Sequence, residues 1–270
     1  MLLRGSMAAC LTVLALTVSG SPVLAAADVS QDARAARSVS VRTSVAAVDE
    51  GDRYGITVKL KKARTAKRLV LQKETFLYPG AAPEWRAVRS VRVRGRSVIR
   101  FRVVATEENR ERYRAVVTYR KQRARTSVPA AVRVWRWIPL SDYRPYYDTG
   151  GTHFSTASIN GMNYPSWGPW RSSTYLSWEA RFTPGRHCDR FRAVAGLSDT
   201  SADGSSGTIT VLADDKVVAE SGPLTPGMSR RIDVALAKPY RLALRSADTG
   251  PEGARSWPLV GEPALRCTGV

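Results

Sequence analysis

Tyr54-Gly-Ile-Thr-Val-Lys-Leu-Lys61 alternates apolar and polar residues. Side chains switch faces at each step of an extended chain, so Ile56, Val58 and Leu60 share one side and Thr57, Lys59 and Lys61 the other. The same period of two returns at Lys67–Lys73 through Leu69 and Leu71, and at Ala87–Arg94 through Val91 and Val93. It returns again at Ser97–Val103 through Ile99, Phe101 and Val103, and at Arg112–Arg120 through Tyr113, Ala115, Val117 and Tyr119. Ser38–Val48 before and Thr126–Trp135 after complete about seven strands in about 100 residues. Antiparallel strands with one wet face give this pattern, which predicts a β-sandwich.

From Ile138 onward Gly, Ser, Thr, Pro and Trp become frequent. Residues 136–152 read as a tyrosine-rich linker and opening strand. Further strands are expected at Ala157–Asn160, Ser173–Phe182, Phe191–Gly196, Thr208–Ala213, Lys216–Ser221, Arg230–Ala235, Tyr240–Arg245 and Leu259–Cys267. Asp214-Asp215 reads as a hairpin turn between two of them. No long 3.6-residue period occurs. The chain therefore reads as all-β, with a second, jelly-roll sandwich after the first. The expected division is 1–27 as a signal peptide, 38–135 as one domain and 136–270 as the other.

Residues 1–27 have the features of a secretion signal. Arg4 supplies the positive start, Met7–Val18 the apolar run, and Ala25-Ala-Ala27 a small-residue cleavage site. The run is shorter than the ~20 residues that cross a bilayer, and no other apolar run is long enough to do so. The protein is expected to be extracellular, with cell-wall association as a further expectation; an uncleaved anchor is the alternative. Cleavage removes Cys10 and leaves Cys188 and Cys267. Two cysteines in an exported chain read as a disulfide; a two-thiol metal site or free thiols are the weaker alternatives.

The net charge of +19 is unevenly placed. Residues 28–135 carry 26 Lys and Arg against 10 Asp and Glu, whereas 136–270 carry 15 against 13. In the strand reading, Arg92, Arg94, Arg100 and Arg102 share a solvent face and form the candidate anion-binding surface. An anionic wall polymer or acidic glycan fits an exported protein better than nucleic acid does, and no nucleic-acid-binding motif is present. The bland reading is compositional: 34 of the 42 cations are Arg, and charged outer faces deter edge pairing.

Arg68-Leu-Val-Leu-Gln72, Trp85-Arg-Ala-Val88, Phe101-Arg-Val103, Tyr113-Arg-Ala115 and Ser127 together resemble immunoglobulin-like (or fibronectin-like) modules of bacterial secreted proteins. The resemblance implies a spacer or adhesion unit and makes Trp85 a core aromatic. The second part resembles the NPCBM family of bacterial carbohydrate-binding modules over about 138–267. That resemblance is carried by Leu140-Ser-Asp142, Ile159-Asn-Gly161 with Tyr164, and Phe191-Arg-Ala-Val-Ala-Gly-Leu197 with Asp199. Gly207–Asp214, Glu220-Ser-Gly222, Arg241-Leu-Ala-Leu244 and Trp257 extend it. It implies a galactose-binding-like jelly roll and a glycan as partner. Gly168-Pro-Trp170 replaces the family's Gly-x-His, and the acidic residues usual before the late Trp are missing. These departures fall in expected loops, where specificity resides.

A pyranose offers an apolar face and a rim of hydroxyls, so exposed aromatics and planar polar groups suit it. Tyr164, Trp167 and Trp170 are expected to cluster in a Gly/Pro loop, with His153, Arg255 and Trp257 as further sugar-binding candidates. Loop packing is the competing reading for Trp167 and Trp170. Trp178 alternates with Leu176 and Ala180 and reads as core. Asp199 and Asp203-Gly204 read as a solvated turn rather than a calcium loop, because the EF-hand pattern is absent. With His153 and His187 the only histidines, a multi-histidine metal centre is excluded. No nucleophile elbow, phosphate loop, dinucleotide fingerprint or zinc-protease motif occurs, and neither histidine has a nucleophile context. The sequence thus predicts a non-catalytic glycan binder with no cofactor or metal. An envelope scaffold that has lost sugar binding is the alternative.

Overall fold

The computed structural model describes residues 38–78, 81–106, 109–149, 152–169 and 177–269. The segment 1–27 and Trp170 lie outside the described residues.

The strands in the first half are β1 (Val39–Thr43), β2 (Ala47–Asp49), β3 (Arg53–Leu60), β4 (Ala66–Thr75), β5 (Glu84–Arg92), β6 (Val98–Val104), β7 (Arg110–Tyr119), β8 (Arg125–Thr126) and β9 (Ala130–Pro139). Those in the second half are β10 (Tyr147–Asp148), β11 (Thr152–Ile159), β12 (Met162–Pro169), β13 (Glu179–Phe182), β14 (Cys188–Leu197), β15 (Gly207–Ala213), β16 (Lys216–Glu220), β17 (Ser229–Ala235), β18 (Leu242–Asp248) and β19 (Pro258–Cys267). The all-β expectation holds. In the first sandwich, sheet β1-β3-β6 faces β5-β4-β7-β9; in the second, β10-β13-β18-β15-β16 faces a sheet containing β11-β12-β19-β14-β17. Ile56, Val58, Leu69, Leu71, Ala115 and Val117 fill the first core. Trp178, Phe182, Phe191, Ile209, Leu244 and Leu265 fill the second.

Residues 136–139 do not form a linker. β9 pairs with β7 through Ala130–Arg133, then with β19 through Arg136–Pro139. Val132 and Val134 face the first core and Ile138, on the same side of the strand, faces the second. Pro139 ends the strand, having no N–H to donate. Beside this shared strand, Arg266 Nε lies 3.6 Å from Asp49 Oδ1 and 3.3 Å from Asp189 Oδ1, with its guanidinium 5.2 Å over the Trp135 ring.

The first core also holds a charge. Glu111 is fully buried on β7 beside Tyr113. Its carboxylate accepts from Tyr54 Oη, Tyr113 Oη (3.0 Å), Lys73 Nζ (2.9 Å), Thr106 N (2.9 Å) and Thr106 Oγ1 (2.6 Å). Burial alone would raise its pKa, but the bonds from Thr106, Tyr54 and Lys73 hold it below the usual carboxylate value. Burial and the bond to Glu111 in turn push the Tyr54 hydroxyl far up.

Trp85 is not a core aromatic. It sits half-buried on the outer face of edge strand β5, paired with Glu74, with the Arg114 guanidinium 4.3 Å over its ring. An edge strand has one neighbour to cover it, so its large side chains stay near solvent.

Candidate functional site

Three loops meet at one end of the second sandwich: the β11–β12 hairpin tip, the segment after β14 and the segment before β19. Backbone bonds lace them together. Asp199 N–H donates to Ser158 O (3.0 Å), Ser198 N–H to Trp257 O (2.9 Å) and Ala202 N–H to Arg255 O (3.0 Å). Asp199 Oδ2 accepts the Gly161 N–H at 2.9 Å. Gly161 has a φ of 72°, which its missing side chain permits. Asp199 is thus a hairpin clamp, and among the described residues no group of three His, Cys, Asp or Glu is placed to hold a metal.

The hairpin tip folds across the outer face of β14 and β19, where two glycines make room. An added Cβ on Gly196 would lie 2.1 Å from Ile159 Cγ2 and 3.0 Å from Met228 O. One on Gly261 would lie 2.9 Å from Tyr164 Cβ. Ile159 is fully buried there. The Ile159-Asn-Gly161 and Gly196-Leu197 motifs therefore hold a hairpin on a sheet. Gly196→Ala is expected to cost about 1–3 kcal/mol by overpacking. Ile159→Ala should cost about 2–5 kcal/mol, but the two together less than their sum, because the cavity of one receives the methyl of the other. Denaturant melts of the four-member cycle check this; strict additivity would refute the contact.

Among the described residues, the sequence-predicted sugar residues are divided between the loop cluster and strands β11 and β12. Arg255 is exposed and Trp257 half-buried, both in the loop cluster. Tyr164 is half-buried against Gly261. Trp167 does not lie in a loop: it is on β12, 6% exposed, with its ring 5.3 Å from Phe182 and 6.1 Å from Phe154. Gly168 lets β12 run as a strand here, since a Cβ on it would meet Leu259 Cδ2 at 2.4 Å. His153 is half-buried on β11 opposite Gly168.

The basic residues of the first sandwich are exposed but divided. Arg92 projects with Arg68 from the sheet of β4 and β5, Arg100 and Arg102 project from β6 in the facing sheet, and Arg94 lies in the connection with a φ of 49°. The shared face expected of them is corrected, because the chain changes sheets between Arg92 and Val98. On the open flank between β5 and β6, a cleft of about 400 Å³ is lined by Arg53, Arg89 and Arg102 around Val88, Val103 and Val104.

Sequence reasoning also missed a groove of about 280 Å³ on the outer face of β14, β17 and the Glu262 bulge of β19, lined by Arg192, Ala193, Val194, Arg231, Asp233 and Glu262.

With this geometry in place, the family comparison becomes specific. Residues 177–259 match the NPCBM/NEW2 domain. No curated protein matches the chain. Among solved structures, the chain is similar to CBM51 from Clostridium perfringens GH95, solved with methyl-galactose, at 19% identity and a TM-score of 0.41, over 48% of this chain and 99% of that one. It is similar to the tandem CBM51 modules of Sp3GH98, a family 98 glycoside hydrolase from Streptococcus pneumoniae, at 11% identity and a TM-score of 0.41, over 82% of each. It is similar to CBM51-2 with INT domains of Clostridium perfringens ZmpB, solved with GlcNAc, at 16% identity and a TM-score of 0.38, over 61% of this chain and 39% of that one. The NPCBM-matching segment includes Arg192, Arg231, Asp233, Arg255 and Trp257, while Tyr164, Trp167 and Glu262 fall outside it.

Proposed function

We propose that this is an exported, non-catalytic carbohydrate-binding protein. Its second sandwich takes a glycan, and its basic first sandwich adds attraction to anionic surface polymers. The match of residues 177–259 to the NPCBM/NEW2 domain carries this reading. Arg255 and Trp257 stand in its loop cluster as the sugar-facing pair, a guanidinium for hydroxyl pairs beside an indole for the apolar ring face. The disulfide between Cys188 and Cys267 suits an oxidising compartment. The exposed cations of the cleft, Arg53, Arg89 and Arg102, supply a field for polyanions that salt screens over about 8–10 Å.

The scaffold reading is favoured by one observation: Trp167 is spent on the core and Tyr164 on Gly261, which leaves fewer aromatics to stack on a sugar. A glycan array with the full mature chain at low and high salt decides between the two. Binding to a neutral glycan that persists in salt, and that Arg255→Ala weakens by about tenfold or more without changing the melting temperature, is the expected result. A folded chain that retains no glycan above background at either salt would leave the scaffold standing.

A further inference from the structure

The groove on the outer sheet face has the chemistry of a sugar subsite, and nothing in the loop-cluster reading uses it. Its charged lining is balanced, Arg192 and Arg231 against Asp233 and Glu262, with the half-buried Val194 side chain between them and Ala193 facing the core behind. A polyanion gains little from such a lining. A neutral pyranose matches it, since hydroxyl pairs need both donors and acceptors, and Val194 offers an apolar contact to the C–H face. The volume of about 280 Å³ lies below the range typical of sites for larger ligands, so it suits one ring.

Two features show a surface already organised. The Arg192 guanidinium is stacked 4.1 Å over the Trp137 ring of β9, which fixes its plane and lowers the ordering cost of binding. Asp233 is held by Arg190 at 2.6 Å, and Arg190, with Arg192 and Arg231 nearby, keeps its carboxyl below the usual range. Glu262 makes no ion pair among the described residues. It sits at a β-bulge: the register of β14 with β19 slips between Arg192–Ala264 and Val194–Gly261. Its φ is 45°, a left-handed conformation in which glycine is at ease and glutamate is not. Bulges re-aim side chains beside binding sites, and here the bulge sets Glu262 in the same groove lining as Arg192 and Arg231.

We propose that this groove is a second saccharide subsite for a single neutral pyranose ring, with Arg192 and Arg231 as donors and Glu262 as acceptor to adjacent hydroxyls. The proposal rests on the reading of the second sandwich as a glycan binder. The test is a titration of the full mature chain, labelled for amide NMR, with methyl galactoside, methyl mannoside and N-acetylglucosamine in turn. At least one probe is expected to shift the Val194 and Glu262 amides. Glu262→Gly removes the acceptor while relieving the backbone, and Arg231→Ala removes a donor. Each should weaken that shift's dissociation constant by about tenfold or more. Melting temperatures separate lost ligand from lost fold. A probe that shifts only the loops around Arg255 and Trp257 overturns the groove and leaves the glycan reading intact. No shift with any probe overturns both.

Discussion

Replacing Glu111 by alanine is expected to destabilise the first sandwich by about 3–5 kcal/mol, because it breaks an ion pair to a fully buried carboxylate and takes the shared acceptor from the Tyr54 and Tyr113 hydroxyls. The Lys73 side chain is only 13% exposed and pairs with Glu111 at 2.9 Å. Tyr54, Tyr113 and Thr106 lose an acceptor at the same time. For a domain of this size the loss corresponds to a melting temperature lower by more than about 10 °C. Acid should do part of the same work in the parent protein. A carboxylate whose folded pKa lies below its unfolded value stabilises the fold fully above the unfolded value, near 4.3, and that contribution is lost as pH falls through the folded one. Melts of both proteins from neutral to acid pH should show a steep acid limb in the parent and a flatter one in Glu111→Ala. Parallel limbs would mean that Glu111 carries no linkage of this kind.

Glu111 also shows where the sequence was legible and where it was not. Strands β3, β4, β6 and β7 announce themselves because one face is wet and the other dry. In that register Glu111 falls on the same side as Tyr113, Ala115 and Val117, so its inward position was readable from parity. What parity does not reveal is the five donors, which come from β3, β4, β7 and the turn after Ala105. Trp85 misleads for a related reason: its spacing fits a strand, but nothing local marks β5 as an edge. Pro165, Gly168 and Pro169 read as loop residues by composition, yet they lie in β12, where Gly168 is required by the closeness of Leu259. The groove was hidden by chain distance. Arg192, Arg231 and Glu262 meet only because β17 and β19 flank β14. The motifs resembling a known family were the most visible feature of the second half. Several of them, Ile159, Gly161, Gly196 and Asp199 among them, turn out to fasten the hairpin.

Removing the Cys188–Cys267 bridge is expected to have the other large effect. The bridge joins residues 79 apart, so in the chain-entropy account it restricts the unfolded ensemble by about 4–5 kcal/mol. Its position concentrates the consequence. Both sulfurs are fully buried in the second core, and the Tyr143 hydroxyl lies 3.3 Å from Cys267 Sγ. Cys267 pairs with Cys188 across β14 and with Arg136 across β9, so the last turn of β19 is the point where the second sandwich holds the strand shared with the first. Arg266, one residue earlier, spans Asp189 and Asp49 from the two halves. The double variant Cys188→Ala/Cys267→Ala should therefore lose about 10–20 °C of melting temperature in the second sandwich and become sensitive to protease around Trp137. The Arg190–Asp233 pair and the β14–β17 ladder, on the other side of β14, should persist until that transition. Non-reducing peptide mapping of the exported parent should show the single crosslink, and calorimetry of parent, reduced parent and double variant should rank them in that order. Free thiols at both positions in the parent, or a variant that melts with it, would show that the ladder of β9, β19 and β14 holds the junction without a covalent tie.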